Sequence, residues 1–443
     1  MKINLYNSLT NKVEEFKTIK PGEVSMYVCG PTVYSDPHIG NMRPVVLFDT
    51  LNRFFTYVGY KVKFVSNFTN VDDKIINKAI KENVSEEVIS ERYTKDYMDC
   101  LDALNILPAY KRPKVTEYMD DIIKYIANLV NINAAYVVDG DVFFDVMKVK
   151  DYGCLSKIKI DDLISGARVE LNDKKHNPLD FALWKKTENG IKWHTDWCEG
   201  RPGWHTECCV MIDSIFGGVI DIHGGGLDLK FPHHENEIAQ AMATHNNKIA
   251  HYWIHNGMMN INSEKMSKSL GNVIKAKDGI NLYGADTIRL LLLNCQYRNT
   301  LNFTDDAVRD TNAILDKLNN CYKQLNLKLA LEGVKLEGKS DLINPFLESM
   351  SDDINLPNAI TNLLDMIKLA NSELRNKDCS LDKLKEYFYA LSGMIYVLGL
   401  HINVRIYTSD EISLYKEYLD SKKSKDFVKS DELRKVLIEK EVL

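Results

Sequence analysis

The sequence predicts an α/β fold: a parallel-sheet domain split by an insertion, followed by an all-helical domain. Three observations lead there. VSMYVC reads as a short buried strand, HIGNMRPVVLFDTLNRFFTYVGY as a helix ending near Gly59, and KVKFVSNFT as a second strand. That β-loop-α-β unit opens a Rossmann-like parallel sheet. GGVIDIHGGG reads as a further buried strand running into a glycine turn, with a helix after it and HYWIHNGMMNIN as one more strand. Beyond about residue 300 the apolar residues repeat at helical spacing. Ile314, Leu318, Cys321 and Leu325 share one face, and SLDKLKEYFYALSGMIYVLGL is a second amphipathic stretch.

In chain order, residues 1–110 give the first half of the sheet domain, 111–200 an inserted connective domain, 201–300 the second half, and 301–443 the helical domain. The insertion is marked by DGDVFFDV and LISGARVELND, which alternate like antiparallel strands. A chain of 443 residues suits about three domains of roughly 150 residues each. Its apolar fraction of 45% and charged fraction of 27% are ordinary for a soluble globular protein. With a net charge of -6, any nucleic-acid surface must be a local patch. The nine cysteines have irregular spacings, the start MKINLYNSLT has no apolar signal core, and no apolar run approaches the ~20 residues of a membrane span. These features point to a reducing cytoplasm with no membrane role, where a special cysteine is a ligand or nucleophile.

Two short motifs carry chemistry. Pro37-His38-Ile39-Gly40-Asn41 follows the first strand and starts a helix near Pro37. Free N–H groups at a helix start attract phosphate, Gly40 lets a base or ribose approach the backbone, and His38 and Asn41 can donate to phosphate oxygens. KMSKS, residues 265–269, sets Lys265 and Lys268 three apart before Gly271, a cationic loop able to close over a triphosphate. Taken singly, each reads more readily as a capped helix start or a solvated lysine loop.

FPHHENEIAQ, residues 231–240, crowds two histidines and two glutamates into five positions. On a helix His233 and Glu237 project from one face. With Cys208 of GWHTEC and Cys29 beside the first loop they make a plausible tetrahedral zinc set. Spacing alone leaves Cys209, His234 and Glu235 as rivals, and a salt-bridged surface helix over two free cysteines as the bland explanation.

HIGN after the first strand and KMSKS after the last strand together resemble the signature of class I aminoacyl-tRNA synthetases. Cys29 in YVCGPTVY, Cys208 in GRPGWHTEC, and His233 and Glu237 in FPHHENEIAQ resemble the zinc positions of the cysteinyl-tRNA synthetase family. NFTNVDDK, IHGGGLDL, EKMSKSLGN and SDDINLPNA extend the likeness over nearly the whole chain. The resemblance implies catalytic roles for His38, Asn41, Lys265 and Lys268, and ATP contacts from His38, Gly40, Asn41, Gly224, Gly225 and Lys268. It further implies a cysteine pocket of Thr69, Trp204, His205 and Asp228, and one Zn2+ per chain on Cys29, Cys208, His233 and Glu237. ATP with Mg2+, L-cysteine and tRNA(Cys) would be the substrates of a cytoplasmic monomer.

An apolar pocket separates substrates differing by one hydroxyl only about a hundredfold. A soft thiolate binds zinc far better than a protonated hydroxyl, so a metal can select cysteine without an editing site. Two departures from the family pattern stand out. The helix-start motif ends in Asn41 rather than histidine, and KEYLDSKKSKDFVKSDELRKVLIEKEVL resembles the family's last helix without the glycine- and tryptophan-containing tail that often follows. The rivals are a ligase joining activated cysteine to an amino sugar, an inactive tRNA-binding paralogue and a purely structural zinc scaffold. SDDINLPNA and the basic Lys422, Lys423, Lys425 and Lys429 favour tRNA over the first.

Overall fold

The computed structural model describes residues 1–158, 173–266, 271–334 and 336–442, without the Lys265 side chain. Its centre is a four-stranded parallel sheet. Strand β1 (Glu23–Val28) leads into helix α1 (Ile39–Tyr57) and back to β2 (Lys61–Ser66). After the inserted segment come α2 (Glu207–Phe216), β3 (Ile220–Gly226), α3 (Glu235–His245) and β4 (Ala250–Asn256). The strand order is β4-β3-β1-β2, so the winding reverses between β1 and β3. At such a reversal a crevice opens beyond the carboxyl ends of the strands. Register places Val28 beside both Gly224 and Ser66, and Gly226 beside Asn256, so Cys29 and the glycine triplet end at one level.

Both sheet faces are covered, which explains the near-continuous apolar strands. Val24, Met26 and Val28 pack with Phe48, Leu51, Phe54 and Phe55 of α1, and this core runs on into the helical domain through Phe346, Leu391, Met394 and Val397. Tyr27 and Val65 face a second core shared with α2, α3 and the insertion. The insertion carries a five-stranded antiparallel sheet running from Ala135 to Pro202. DGDVFFDV supplies its strand Asp141–Phe144, whereas LISGARVELND, bar its last residue, lies outside the described residues. HYWIHNGMMNIN forms two strands rather than one, β4 and Met259–Ile261.

Helices Asp305–Leu331, Leu356–Leu374 and Leu381–Leu398 form the helical domain, with Leu318, Cys321 and Leu325 buried along one stripe. The last segment is two helices, Ser409–Lys423 and Phe427–Glu439, rather than one. Lys425 takes a left-handed backbone and the Asp426 side chain caps the second helix. Asp353 of SDDINLPNA is buried and ties this domain to the rest: it accepts from the Tyr6 N–H and the Tyr297 hydroxyl, each at 2.8 Å, and pairs with Arg298.

A charged junction sits beneath α1. Asp49 of α1 pairs with Arg53, 2.8 Å away, and with Arg289, all three buried. Arg289 donates to the carbonyls of Leu104 and Leu398, and Arg53 to those of Asn105 and Tyr396. These carbonyls sit at the C-terminal ends of helices Glu86–Ala103 and Leu381–Leu398, where a positive charge is favoured. Gly399 makes room: a Cβ there would lie 2.2 Å from an Arg289 nitrogen, and its φ of +69° suits glycine.

Candidate active site

Four separate elements bring the metal-type donors together. Cys29 follows β1, Cys208 lies in the first turn of α2, His233 lies in a π-type turn (Lys230–His234), and Glu237 lies in the first turn of α3. His233 thus precedes the regular helix, because Phe231 breaks it with an extended backbone, yet His233 Nε2 still reaches Glu237 Oε1 at 2.9 Å. Cys29 Sγ is 3.6 Å from Cys208 Sγ and 3.7 Å from Glu237 Oε1, and Cys208 Sγ is 3.8 Å from His233 Nε2. All four donor atoms lie within 4.8 Å of one another. A tetrahedron with metal–sulfur bonds of about 2.3 Å has a sulfur–sulfur edge of about 3.8 Å, close to the observed spacing. Two sulfurs, an imidazole and a carboxylate, nearly all buried, fit a borderline-soft divalent ion.

The sequence rivals are engaged elsewhere. Cys209 points its thiol at the Glu237 carbonyl, and the Glu235 carboxylate accepts the N–H groups of Gly153, Leu155 and Ser156. His234 stays close, with Nε2 3.3 Å from Cys29 Sγ and Nδ1 2.9 Å from His255 Nε2. His205 Nδ1 lies 3.0 Å from His233 Nδ1, orienting that ring from behind.

The electrostatics follow from this crowding. A hydrogen bond with Cys29 lowers the Cys208 thiol to about 7, while burial pushes Cys29 well up. Burial opposes a charged His233, but Glu237 and Cys208 overcome it and hold the imidazole up at about 10. Burial also works against the Glu237 carboxylate, and His223 and His233 together bring it well below the usual range.

Of the cysteine-pocket residues, Trp204 is 41% exposed and stacks on the His233 ring, centroids 4.3 Å apart. Thr69 is buried and donates to Glu207 Oε2 at 2.8 Å. Asp228 sits on the turn after β3, exposed at the mouth of two cavities. The first, about 320 Å³, is lined by Cys29, His38, Gly40, Asn41, Gly225, Gly226, Asp228 and Met266. The second, about 260 Å³, shares His38, Asn41, Tyr97 and Asp228 and adds Tyr34 and Trp204. Cys29 therefore belongs both to the donor cluster and to the wall of the larger cavity.

Helix α1 begins at Ile39 rather than Pro37, because His38 is its cap. His38 Nδ1 accepts from the Asn41 N–H at 3.2 Å, and Asn41 Oδ1 accepts from the His38 N–H at 3.0 Å. This reciprocal capping box fixes the His38 ring and the Asn41 side chain at the helix start. Gly224 is not on the cavity wall: a Cβ there would lie 2.1 Å from Phe48, so this glycine lets α1 pack on the sheet. Lys265 has its backbone in a two-residue strand paired with Asn260, and Lys268 lies outside the described residues. Sequence reading missed His223, whose Nε2 lies 2.8 Å from Glu237 Oε2, and Glu207 behind Thr69. A histidine inside the buried run GGVIDIHGGG was the one available signal.

The family profile for the class I (C) catalytic domain of tRNA synthetases matches residues 15–313, and a DALR domain profile matches residues 345–403. A cysteine–tRNA ligase of Finegoldia magna is 46% identical to this chain, covering 98% of it and 96% of the relative. The chain belongs to the cysteine–tRNA ligase family. Another member, from Brevibacillus brevis, is 42% identical over 100% of this chain and 97% of its own length. Among solved structures, an Agrobacterium radiobacter leucyl-tRNA synthetase complex aligns with a TM-score of 0.65 at 11% identity, over 87% of this chain and 85% of that one. Mycobacterium tuberculosis methionyl-tRNA synthetase aligns at 0.60 and 15% identity, over 85% and 89%. These likenesses show the fold the cysteine–tRNA ligases share with other class I synthetases. Among the described residues no helix is long and apolar enough to cross a membrane.

Proposed function

We propose that this chain is a cytoplasmic, monomeric cysteine–tRNA ligase that forms cysteinyl-adenylate from L-cysteine and ATP–Mg2+ and passes the acyl group to tRNA(Cys). One observation carries the reading: Cys29 joins a four-donor soft-metal cluster to the cavity walled by His38, Gly40, Asn41 and Gly225. Cys29, Cys208, His233 and Glu237 would hold one zinc, which when bound supplies a Lewis-acidic partner for a thiolate that a serine hydroxyl cannot match.

The protein's own groups do the rest by position and charge. Asp228, at the mouth of both cavities, holds the substrate ammonium, and Thr69 and Trp204 shape the side-chain pocket with His205 behind it. His38 Nε2–H and the Asn41 amide donate to the phosphates, Gly225 admits the nucleotide to the strand end, and Lys265 and Lys268 neutralise charge developing as pyrophosphate leaves. No covalent side-chain nucleophile is needed when the carboxylate and the α-phosphate are held in line. The terminal ribose hydroxyl of the tRNA then accepts the acyl group, with the helical domain and its lysines receiving the rest of the tRNA.

The test is metal content and cysteine-dependent ATP–pyrophosphate exchange measured on one preparation, repeated with serine. Exchange with cysteine, its absence with serine and one zinc per chain are expected. Active protein free of metal would overturn the reading.

A further inference from the structure

Glu237 divides its two carboxylate oxygens between two groups of donors. Oε1 lies 2.9 Å from His233 Nε2, while Oε2 lies 2.8 Å from His223 Nε2. Cys29 is divided in the same way, with Sγ 3.6 Å from Cys208 Sγ on one side and 3.3 Å from His234 Nε2 on the other. The donor atoms of Cys29, His223, His234 and Glu237 lie within 4.8 Å of one another, as those of the first set do. Two complete four-donor sets therefore share a thiol and a carboxylate.

The second set also carries buried polar atoms that make no aligned hydrogen bond. His223 is fully buried, yet neither ring nitrogen has a hydrogen-bond partner among the described residues, and neither has Glu237 Oε2. The short approach between His223 Nε2 and Oε2 is not aligned as a hydrogen bond. Unsatisfied buried groups of this kind are uncommon and costly. His234 is held as metal-ligating histidines are: its Nδ1 meets His255 Nε2 at 2.9 Å, and His255 Nδ1 meets Ser8 Oγ at 2.9 Å, leaving His234 Nε2 facing Cys29.

We propose that His223 and His234 form a second half-site that takes a borderline-soft divalent ion, such as Zn2+, Co2+ or Cd2+, when such ions are in excess, with Cys29 and Glu237 bridging it to the first. The proposal rests on the reading that Cys29, Cys208, His233 and Glu237 hold zinc. The second half adds only neutral imidazoles to donors whose charge is already shared, so it binds more weakly than the first. Because Cys29 lines the larger cavity, filling the second half weakens cysteine binding and makes the enzyme sensitive to metal overload.

Free cysteine itself chelates metals, so the test reads the ions directly. The metal-free full-length chain is titrated with Co2+ and followed by absorption and by electron paramagnetic resonance. The expected result is two equivalents bound in order, the first bringing thiolate charge-transfer bands and the second a loss of resonance intensity per ion as bridged ions couple. His223→Asn and His234→Asn should each lose the second equivalent and keep the first. Binding of no cobalt would sink the first-site reading itself. Binding of one equivalent alone, or a second equivalent unchanged in both variants, would overturn this proposal. Should either variant fail to fold, 113Cd resonance on the unmodified chain decides. Two signals are expected, the weaker-bound one at the position of a site with one sulfur, and a single signal at saturation rejects the second half-site.

Discussion

The donor cluster and the nucleotide cleft meet at Cys29 but are built on opposite plans. Cys208, His233 and Glu237 are at most 2% exposed, come from separate elements, and are flanked by further histidines, His205 and the buried His223. The cleft instead uses an exposed helix start and a glycine-ended strand, with His38 and Asn41 partly or fully open to solvent. Under the proposed function, the contrast follows from what each half must recognise. A single sulfur atom offers one contact, so its partner must be rigid before the substrate arrives. A triphosphate offers many charged oxygens, which backbone N–H groups, caps and lysines can meet one by one.

The largest effect should come from breaking the rigid half. Cys208→Ala is expected to lose zinc and to lower cysteine-dependent exchange by roughly 10⁴-fold, the scale of removing the partner a site is built around. Metal analysis and exchange on the same sample check it, and a variant that stays active without metal would erase the contrast. Lys268→Ala attacks the other half: kcat for exchange should fall about 10²- to 10³-fold while zinc content and melting temperature stay unchanged. Loss of zinc there would mean that the halves are not separate. Asp353→Asn, at the clamp between Tyr6, Tyr297 and Arg298, should destabilise by about 2 kcal/mol and depress tRNA charging more than exchange. Equal losses in both assays would argue that the clamp serves stability alone. Asn41→Ala removes one arm of the capping box, so a loss of about 1 kcal/mol and a severalfold rise in KM for ATP are expected. An unchanged KM would leave Asn41 a structural cap only.

The parallel sheet was legible because β1, α1 and β2 carry strong local patterns within one short segment. The donor set was legible in part: the spacing of His233 and Glu237 pairs them, but no local rule selects Cys208 over Cys209. That choice depends on which thiol faces Cys29, 179 residues away in the chain. His223 was hidden because a strand residue gives no sign of which face it occupies or what lies across from it. Glu207 was hidden because an acid in a first helical turn ordinarily reads as a solvated dipole partner, not as a buried acceptor for Thr69. The start of α1 was misplaced by two residues because proline suits a first turn, whereas the His38 side chain caps the helix from outside. The break in the last segment had a signal in Asp426, a good cap residue, masked by the helical charge pattern on either side.

Arg289 and Arg53 bring two positive charges to one carboxylate, and the carbonyls of two helix ends complete their coordination. Pulling the C-terminal helices away would strand a guanidinium in an apolar interior, so partial melting has no cheap intermediate. Heating should therefore give one calorimetric transition shared by both halves of the chain, and a split endotherm would show that the junction does not weld them into a single cooperative unit.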